Sequence, residues 1–532
     1  MKKAFLTAFA LLLTLCILAS CSAAPMGSYY AQEVLDGGLY QKPAGNQGEP
    51  EGNIASEEPQ NNNLQNDPDY GKLIENGFIK TSEEPVSTFS ADVDTASFAY
   101  FRKLVNQGYS LKNIVEYAGQ NLRTEEMVNY FTYDYKLPET GELFGVSPEI
   151  APCPWNSEAV LLRLGFRTEA KIKSEGYGNN FVFLIDVSGS MGSDDKLPLL
   201  KKAFEYLTEN LMGNDIVSIV TYSGKEEVVL TGCEGTKKEA ILNAVRKLEA
   251  SGSTNGESGL RKAYEIAKQY YITGGNNRII MASDGDLNVG ISSPEALKKF
   301  VQEKRDEGIY LSVLGFGSGN YKDASMEAIA DNGNGVYYYI DGEYEAEKVF
   351  CTDLVSTLYT VAEDVKLQLT FDPAYVSEYR LVGYENRLLN REDFEDDTKD
   401  AGEVGAGHCL TVCYELKLAP QQAETREGEG QADAEDQKWM TLAVRYKEPG
   451  EKESKLNKYD IGRSACTDDP DKDFRFACAV IKLSMMLHKS SYLSDSVSAG
   501  DLLTELVSLD LKNDPDKEQL TDLIRKLAGT QS

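Results

Sequence analysis

The chain has 532 residues, and its 85 Asp and Glu residues outnumber its 54 Lys and Arg residues, so its formal net charge is −31 and its length predicts two to four domains. This acidic balance excludes a nucleic-acid-binding protein, because no basic surface is available to displace counterions from phosphates. Because only two histidines are present, His408 and His488, His-rich zinc sites are excluded and a Ser–His–Asp triad is disfavoured.

Residues 1–20 have the pattern of a bacterial export signal. Two lysines precede an apolar stretch that is too short to span a bilayer comfortably, and small residues stand directly before Cys21. Residues 18–21, LASC, resemble the lipobox of bacterial lipoproteins. The resemblance implies cleavage before Cys21, acylation of its thiol and anchoring by lipid on the exported side of a bacterial envelope membrane, either the cytoplasmic or the outer membrane. An ordinary secretory signal and an uncleaved membrane helix are the alternatives.

Residues 21–85 are predicted to form a disordered tether, because they are rich in Gly, Asn, Gln, Glu and Pro and have no apolar period. A flanking region of helices and strands is predicted over 86–175. It begins with VSTFSADVD, which alternates like a strand but does not have the composition of a buried one. Asp92 and Asp94 within it are open to three interpretations, which are capping of the following helix, a structural cation site and catalysis.

Residues 176–357 are predicted to form an α/β domain, because short apolar runs alternate with amphipathic helical stretches. The segment 226–232 follows the preceding run too closely for a crossover helix, so it must pair antiparallel. The predicted fold is a doubly wound, mostly parallel six-stranded sheet with one antiparallel edge strand. The tyrosines at 337–339 are predicted to form another edge strand, whose alternate rings are a candidate partner surface.

The remaining chain is predicted to be β-rich over 358–460 and helical over 461–532, with helices at about 473–489 and 515–528. We expect the strands on the two sides of the α/β domain to form one β-sandwich-like domain into which the α/β domain is inserted. Seven cysteines remain after Cys16 and Cys21, an odd and scattered set that does not indicate a disulfide framework. Cys409 and Cys413 lie about 13 Å apart in a strand, too far to share a disulfide or a metal.

Short oxygen-bearing side chains follow the ends of predicted strands, where an open α/β sheet binds its ligands. Two carboxylates and several hydroxyls, without nitrogen or sulfur, suit a hard divalent cation. Mg²⁺ takes six oxygens and usually keeps water, and Mn²⁺ or Ca²⁺ are alternatives. The candidate metal residues are Ser188, Ser190 and Thr254 as direct ligands, and Asp186 and Asp284 acting through water.

These residues also carry a family resemblance. DVSGSM at 186–191, Thr254 and SDGD at 283–286 resemble the metal-ion-dependent adhesion site of von Willebrand factor type A domains, and the element order agrees. The resemblance implies that the open metal position accepts a carboxylate from a partner protein. Stretches such as STFSADVDTASFAYFRKLVNQG, EEMVNYF and YRLVGYENRLLNREDF resemble a subfamily of bacterial envelope lipoproteins with their own flanking regions, over about residues 85–530. The candidate partner-binding residues are Gly189, Met191, Asn255 and Asp286.

The function expected from these observations is a non-enzymatic lipoprotein of the cell envelope that binds a protein partner through a Mg²⁺-dependent site. The partner is an unidentified envelope or extracellular protein that presents a carboxylate, and nucleic acid is excluded as a partner. Two alternatives remain open, a metal-dependent hydrolase that uses the same site and an envelope assembly factor whose metal site is vestigial.

Overall fold

The computed structural model describes residues 73–170, 178–253, 256–285, 294–317, 323–353, 360–399, 401–420, 437–449 and 451–529. The described strands, in chain order, are β1 (Ile79–Lys80), β2 (Val86–Ser90), β3 (Phe144–Pro152), β4 (Val160–Thr168), β5 (Asn179–Asp186), β6 (Ile216–Tyr222), β7 (Glu226–Glu234), β8 (Asn276–Ser283), β9 (Tyr310–Phe316), β10 (Tyr337–Ile340), β11 (Thr360–Phe371), β12 (Val376–Val382), β13 (Gly402–Gly405), β14 (Cys409–Leu418), β15 (Lys438–Lys447) and β16 (Lys455–Gly462).

The described α-helices also follow chain order. They are α1 (Ala96–Asn106), α2 (Leu111–Tyr117), α3 (Thr124–Asn129), α4 (Leu197–Asn210), α5 (Lys238–Arg246), α6 (Gly256–Gln269), α7 (Pro294–Asp306), α8 (Asp323–Asn332), α9 (Glu343–Lys348), α10 (Lys472–His488), α11 (Ala499–Ser508) and α12 (Pro515–Gly529). None of these helices is long and apolar enough to cross a bilayer.

The strands in the middle of the chain form a sheet with the order β10-β9-β8-β5-β6-β7. Neighbouring strands run parallel, except that β7 pairs antiparallel with β6. Only residues 223–225 separate these two strands, which is too short a connection for a parallel crossover. Because β5 and β8 are parallel neighbours, their carboxyl ends lie side by side at one edge of the sheet.

Helices cover both faces of this sheet, which explains why its central strands are continuous apolar runs. Successive side chains of β5 point to opposite faces. Phe183 packs against Phe204 of α4 on one face, with ring centroids 4.6 Å apart. Leu184 belongs to the core on the other face together with Leu260 of α6. The apolar faces of the amphipathic helices α4 and α6 are buried against the sheet, and they hold the strand ends in place.

Strands from the two flanking regions pair with one another in two antiparallel sheets. One has the order β1-β12-β14-β4-β3, and the other has the order β13-β11-β15-β16 with β2 also paired to β11. Both sheets contribute to a single apolar core, which contains Phe89 and Leu367 from one sheet and Leu164 and Tyr414 from the other. The α/β region therefore lies in sequence between flanking strands that pair with each other, such as β4 and β14.

Strand β2 differs from its prediction, because all five of its residues are buried. Its polar side chains have partners inside the protein. The Tyr414 hydroxyl donates to Ser87 Oγ at 2.9 Å, and the Gln368 side-chain amide donates to Thr88 Oγ1 at 3.1 Å. Polar residues remain stable in the core when such bonds are made, so composition alone was misleading here.

Helix α1 covers the edge strand β10, which overturns the candidate partner surface at the tyrosines. The side chains of Tyr337, Tyr338 and Tyr339 are each no more than 3% exposed. The rings of Tyr100 in α1 and Tyr339 lie 5.7 Å apart, edge to face. The N-terminal flanking region therefore packs directly against the α/β region and leaves no tyrosine ring of this strand for a partner.

The structure also differs from the prediction at the end of the tether and within the helical C-terminal region. Residues 73–85 lie within the predicted tether, but β1 pairs with β12 and the Asn76 amide donates to Gly383 O at 2.8 Å. Between the two predicted C-terminal helices lies α11, capped by Ser498, whose side chain accepts the Asp501 N–H. The pattern was too short for α11 to be recognised, and it is stabilised by packing with α10 and α12.

Candidate metal centre

Two carboxylates meet at the carboxyl edge of the α/β sheet. Asp186 is the last residue of β5, and Asp284 directly follows β8, its parallel neighbour. The two residues are 0% and 7% exposed. Burial raises the pKa of Asp186 to about 6, and the negative charge of Asp284 adds to this shift. The two predicted carboxylates therefore come together in a partly desolvated site.

The loop after β5 brings two hydroxyls to the same place. The Ser188 N–H donates to Asp186 Oδ1 at 2.8 Å, and the hydroxyls of Ser188 and Ser190 are 3.0 Å apart. The neighbouring loop fixes this turn, because the Gly189 N–H donates to Gly252 O at 3.0 Å. The predicted positions Asp186, Ser188 and Ser190 thus converge as a group.

Four predicted residues lie outside the described residues. They are Thr254 and Asn255, which precede α6 in sequence, Asp286, which follows β8 in sequence, and the proposed lipidation site Cys21. Ser251, three residues before Thr254, donates its N–H to Val187 O at 2.7 Å, so the described part of this loop adjoins the turn that carries Ser188.

The oxygens at the site fit a hard divalent cation. Asp186 Oδ2 and Asp284 Oδ1 are both buried and make no hydrogen bond of ordinary geometry, although the Tyr222 hydroxyl lies close enough to Asp186 to offset part of the rise in pKa that burial causes. A buried carboxylate oxygen without a donor is costly, and a cation or its water would satisfy both atoms. No cluster of three or more His, Cys, Asp and Glu side chains suited to a metal occurs among the described residues. The site described here has only two carboxylates, with serine oxygens beside them.

Lys196 is a component of the site that the sequence did not indicate. Its ammonium donates to Asp284 Oδ2 at 2.8 Å and to Ser190 O at 2.9 Å. The lysine lies at the start of α4 and joins the loop after β5 to the end of β8. Its partner Asp284 is 88 positions away in sequence, so a single sequence offers no spacing signal for this contact.

The prediction that Met191 binds a partner is wrong, because this residue is buried. The Met191 side chain is 0% exposed and packs in the core beside Leu197 and Leu200 of α4. Met191 therefore anchors the loop after β5 in the core and is not accessible to a partner. Gly189, in contrast, is exposed next to Ser190.

Asp92 and Asp94 bind an arginine in this structure. The Arg387 guanidinium contacts Asp92 Oδ2 at 2.9 Å and Asp94 Oδ2 at 3.3 Å. Asp92 Oδ1 accepts the Asp94 N–H, while α1 is capped at Thr95 without a side-chain cap bond. Of the three interpretations, helix capping is wrong, and the guanidinium supplies the positive charge that a structural cation would have supplied.

Two further carboxylates complete what we call the Arg387 cluster, defined as Asp92, Asp94, Glu327, Asp331 and Arg387. Glu327 and Asp331 lie on α8 and contact the guanidinium at 3.2 and 2.9 Å. Burial raises the pKa of Asp94, Glu327 and Asp331. The Arg387 guanidinium thus joins the N-terminal flank, the α/β region and the C-terminal flank, and Arg123 of the N-terminal flank also forms an ion pair with Glu327.

The two histidines lie away from the metal centre. Burial lowers the pKa of His408 to about 4, and it also lowers the pKa of His488, whose Nε2 contacts Leu122 O. Both imidazoles are therefore neutral near pH 7. The seven cysteines of the described residues form no disulfide bonds.

The chain matches three family models. Residues 180–352 match the von Willebrand factor type A domain, residues 64–163 match a model described as von Willebrand factor, and residues 356–529 match the C-terminal region of uncharacterized protein YfbK. The first match covers β5 to β10, and the other two cover the flanking regions whose strands pair.

Similar proteins include the uncharacterized protein YfbK of Escherichia coli K12, which is 39% identical over 440 residues that cover 80% of this chain and 75% of that protein. The human inter-alpha-trypsin inhibitor heavy chain H3 is 29% identical over 268 residues, 47% of this chain and 29% of that protein. A solved von Willebrand factor type A protein from Catenulispora acidiphila has a TM-score of 0.41 at 16% identity, covering 74% of this chain and 91% of that one.

Proposed function

Since the chain belongs to the family of von Willebrand factor type A proteins that includes Escherichia coli YfbK, we propose that it binds a protein partner through a divalent cation held between the ends of β5 and β8. Domains of this type typically mediate protein interactions. The observation that carries the proposal is the pair of buried carboxylate oxygens, Asp186 Oδ2 and Asp284 Oδ1, that make no hydrogen bond of ordinary geometry. Mg²⁺ is the proposed cation because all the donors at this place are oxygens.

The residues of the chain have separate roles in this proposal. Ser188 and Ser190 supply hydroxyls on a loop that is fixed by its backbone bond to Gly252, and Thr254 would add a third hydroxyl. Asp186 and Asp284 supply negative charge from buried positions. When bound, the cation would supply a Lewis-acidic position for an external oxygen ligand.

We propose a carboxylate of the partner as that external ligand. The chain carries a net charge of −31, so an acidic partner is repelled by most of its surface. The exposed cation would be the exception, and the cation would therefore decide specificity as well as affinity. A non-catalytic role is proposed because His488 is buried against Leu122 and His408 lies between β13 and β14 of the flanking sheets, so neither imidazole is placed to act as a base at this site.

Capture of a partner should require Ser188 and Ser190. We expect the double variant Ser188→Ala/Ser190→Ala to lose most of the partner that the wild type recovers from envelope extract, and EDTA to have the same effect. A matched control is Ser494→Ala/Ser496→Ala, which removes an exposed pair of serine hydroxyls 2.9 Å apart at a distant turn. Recovered proteins are identified by mass spectrometry and tested again in purified form.

The outcomes of this pull-down separate the three candidate functions. Equal capture by the wild type and the Ser188/Ser190 variant would contradict adhesion through this site and favour an assembly factor with a vestigial metal site. Cation-dependent turnover of a captured molecule, lost in the same variant, would favour the hydrolase. Loss of capture without any turnover supports the adhesion proposal.

We also propose that the protein is a lipoprotein anchored through Cys21 on the exported side of a bacterial envelope membrane. Cys21→Ala should abolish incorporation of labelled palmitate in cells and release the protein from the membrane fraction, since acylation requires the thiol. Cys16→Ala is the matched control, because this cysteine lies in the segment removed by cleavage. Palmitate labelling that persists in Cys21→Ala would contradict the anchor.

A further inference from the structure

We propose that Lys196 sets the charge of the metal centre, so that the cation-loaded site keeps a net positive charge that only an external carboxylate neutralises. This inference rests on the proposed function, since it concerns the same site. It assigns to one lysine two opposite effects, weaker binding of the cation and stronger binding of the partner's carboxylate.

The position of Lys196 supports a specific role. Its ammonium bonds Asp284 Oδ2 and Ser190 O, while Asp284 Oδ1 accepts no bond. One oxygen of the carboxylate is therefore occupied by the lysine and the other remains for a cation or its water. The ammonium is 2.8 Å from a carboxylate of the site and belongs to the same cluster of charges.

The lysine stem is held by the shape of the neighbouring loop. Gly317 follows β9 with a φ of +87°, and a Cβ atom at this position would lie 2.2 Å from Lys196 Cε. A side chain at residue 317 would displace the stem. The Gly317 carbonyl also accepts a hydrogen bond from Lys103 of α1, which holds this residue in place. The close fit at Gly317 and the bond to Ser190 O thus hold the ammonium at Asp284.

The charges in contact at the site give the direction of the effect. Asp186 and Asp284 contribute two negative charges and Lys196 contributes one positive charge, which leaves minus one. A divalent cation changes this value to plus one, and one external carboxylate then brings it to zero. The neighbouring pair Lys103 and Asp195, 3.6 Å apart, adds no net charge. This count covers the described side chains only.

Removing the charge of Lys196 would shift both equilibria. The cation would enter a site of charge minus two and would bind about tenfold more tightly or more, since the repulsion by a nearby ammonium is lost. The loaded site would then be neutral. An external carboxylate would bind it about tenfold more weakly, because no net positive charge remains to attract it.

The experiment uses the purified full-length chain, Mn²⁺ as the cation probe and acetate as the carboxylate probe. The variants are Lys196→Met, which removes charge and donor, Lys196→Gln, which keeps a donor without charge, and Lys196→Arg, which keeps the charge. Lys202→Met is the matched control. Lys202 is an exposed lysine of α4, about 9 Å along the helix from Lys196, and it pairs with Glu343. Titration calorimetry gives Mn²⁺ affinity, and displacement of Mn²⁺-bound water, seen by proton relaxation, gives acetate affinity.

We expect Lys196→Met and Lys196→Gln to bind Mn²⁺ more tightly and acetate more weakly, and Lys196→Arg and Lys202→Met to resemble the wild type. Unchanged or weaker Mn²⁺ binding in both neutral variants would overturn the inference while leaving the metal site intact. Wild-type behaviour of Lys196→Gln alone would overturn it as well, since a hydrogen bond and not charge would then be responsible. Absence of Mn²⁺ binding by the wild type would overturn both this inference and the proposed function.

Discussion

Replacing Asp186 by asparagine should abolish useful binding of Mg²⁺ and, in the absence of any cation, should stabilise the fold. The carboxylate is 0% exposed, and its Oδ2 makes no hydrogen bond of ordinary geometry. Its charge beside a divalent cation is the main attraction that the substitution removes, so Mg²⁺ affinity should fall about a hundredfold or more. Asparagine retains an oxygen for the Ser188 N–H, so the loop should keep its conformation.

The stability effect has a defined pH window. Burial raises the pKa of Asp186 to about 6 from an ordinary value of 3.8, so the folded protein holds this proton more tightly than the unfolded chain. The destabilising effect of the charge is therefore absent below about pH 4, grows as the pH rises and is complete above about pH 6. Asp186→Asn should gain up to about 3 kcal/mol at pH 8 and almost nothing at pH 4.

Urea denaturation in EDTA at the two pH values, together with Mg²⁺ calorimetry, measures both effects. Asp306→Asn is the control. The Asp306 side chain is 68% exposed, and among the described contacts its carboxylate pairs only with the neighbouring Arg305. Wild-type Mg²⁺ affinity in Asp186→Asn would remove this carboxylate from the metal site. An equal change of stability at pH 4 and pH 8 would contradict the electrostatic explanation.

Replacing Arg387 by methionine should destabilise the protein by about 3–5 kcal/mol near pH 7, the range measured when one member of a buried ion pair is removed. The four carboxylates of the Arg387 cluster would then lose their shared guanidinium, and among their described ion pairs only that of Glu327 with a second arginine, Arg123, would remain. Arg387→Lys should recover little of this loss, because a single ammonium cannot bond several carboxylates as a planar guanidinium does.

The loss should depend on pH in a way that cavity formation does not. Without Arg387 the carboxylates of the cluster become easier to protonate, so the variant should be least stable at high pH and recover part of its stability as the pH falls towards 5. Arg246→Met, which removes an arginine with a side chain 50% exposed, should cost no more than about 1 kcal/mol. A pH-independent loss, or one no larger than that of Arg246→Met, would contradict the assigned role.

The parts of the site that lie close in sequence were accessible to prediction. Asp186, Ser188 and Ser190 occupy one loop, and the rule that ligands bind at the ends of parallel strands added Asp284. Met191 belonged to the same motif, but a motif does not show which side chains point into the core. Lys196 and Arg387 were missed because their partners lie far away in sequence and a single sequence carries no signal for such pairs.

The fold shows the same division. Apolar runs and helical stripes indicated the α/β region, since each run lies within a buried strand and each stripe faces the sheet. Strand β2 was misjudged because Ser87 and Thr88 find hydrogen-bond partners on β14 and β11, which no local pattern reveals. The strands of the two flanks that pair are separated in sequence by the whole α/β region, so no local pattern predicts which strand pairs with which.

The most direct test of the metal centre is an anomalous difference map from crystals of the protein grown with Mn²⁺. We expect one strong peak within coordination distance of the Ser188 and Ser190 hydroxyls, beside Asp186 Oδ2 and Asp284 Oδ1. Electron density without a peak at this place, with Mn²⁺ bound elsewhere or not at all, would contradict the central claim that these strand ends hold a divalent cation.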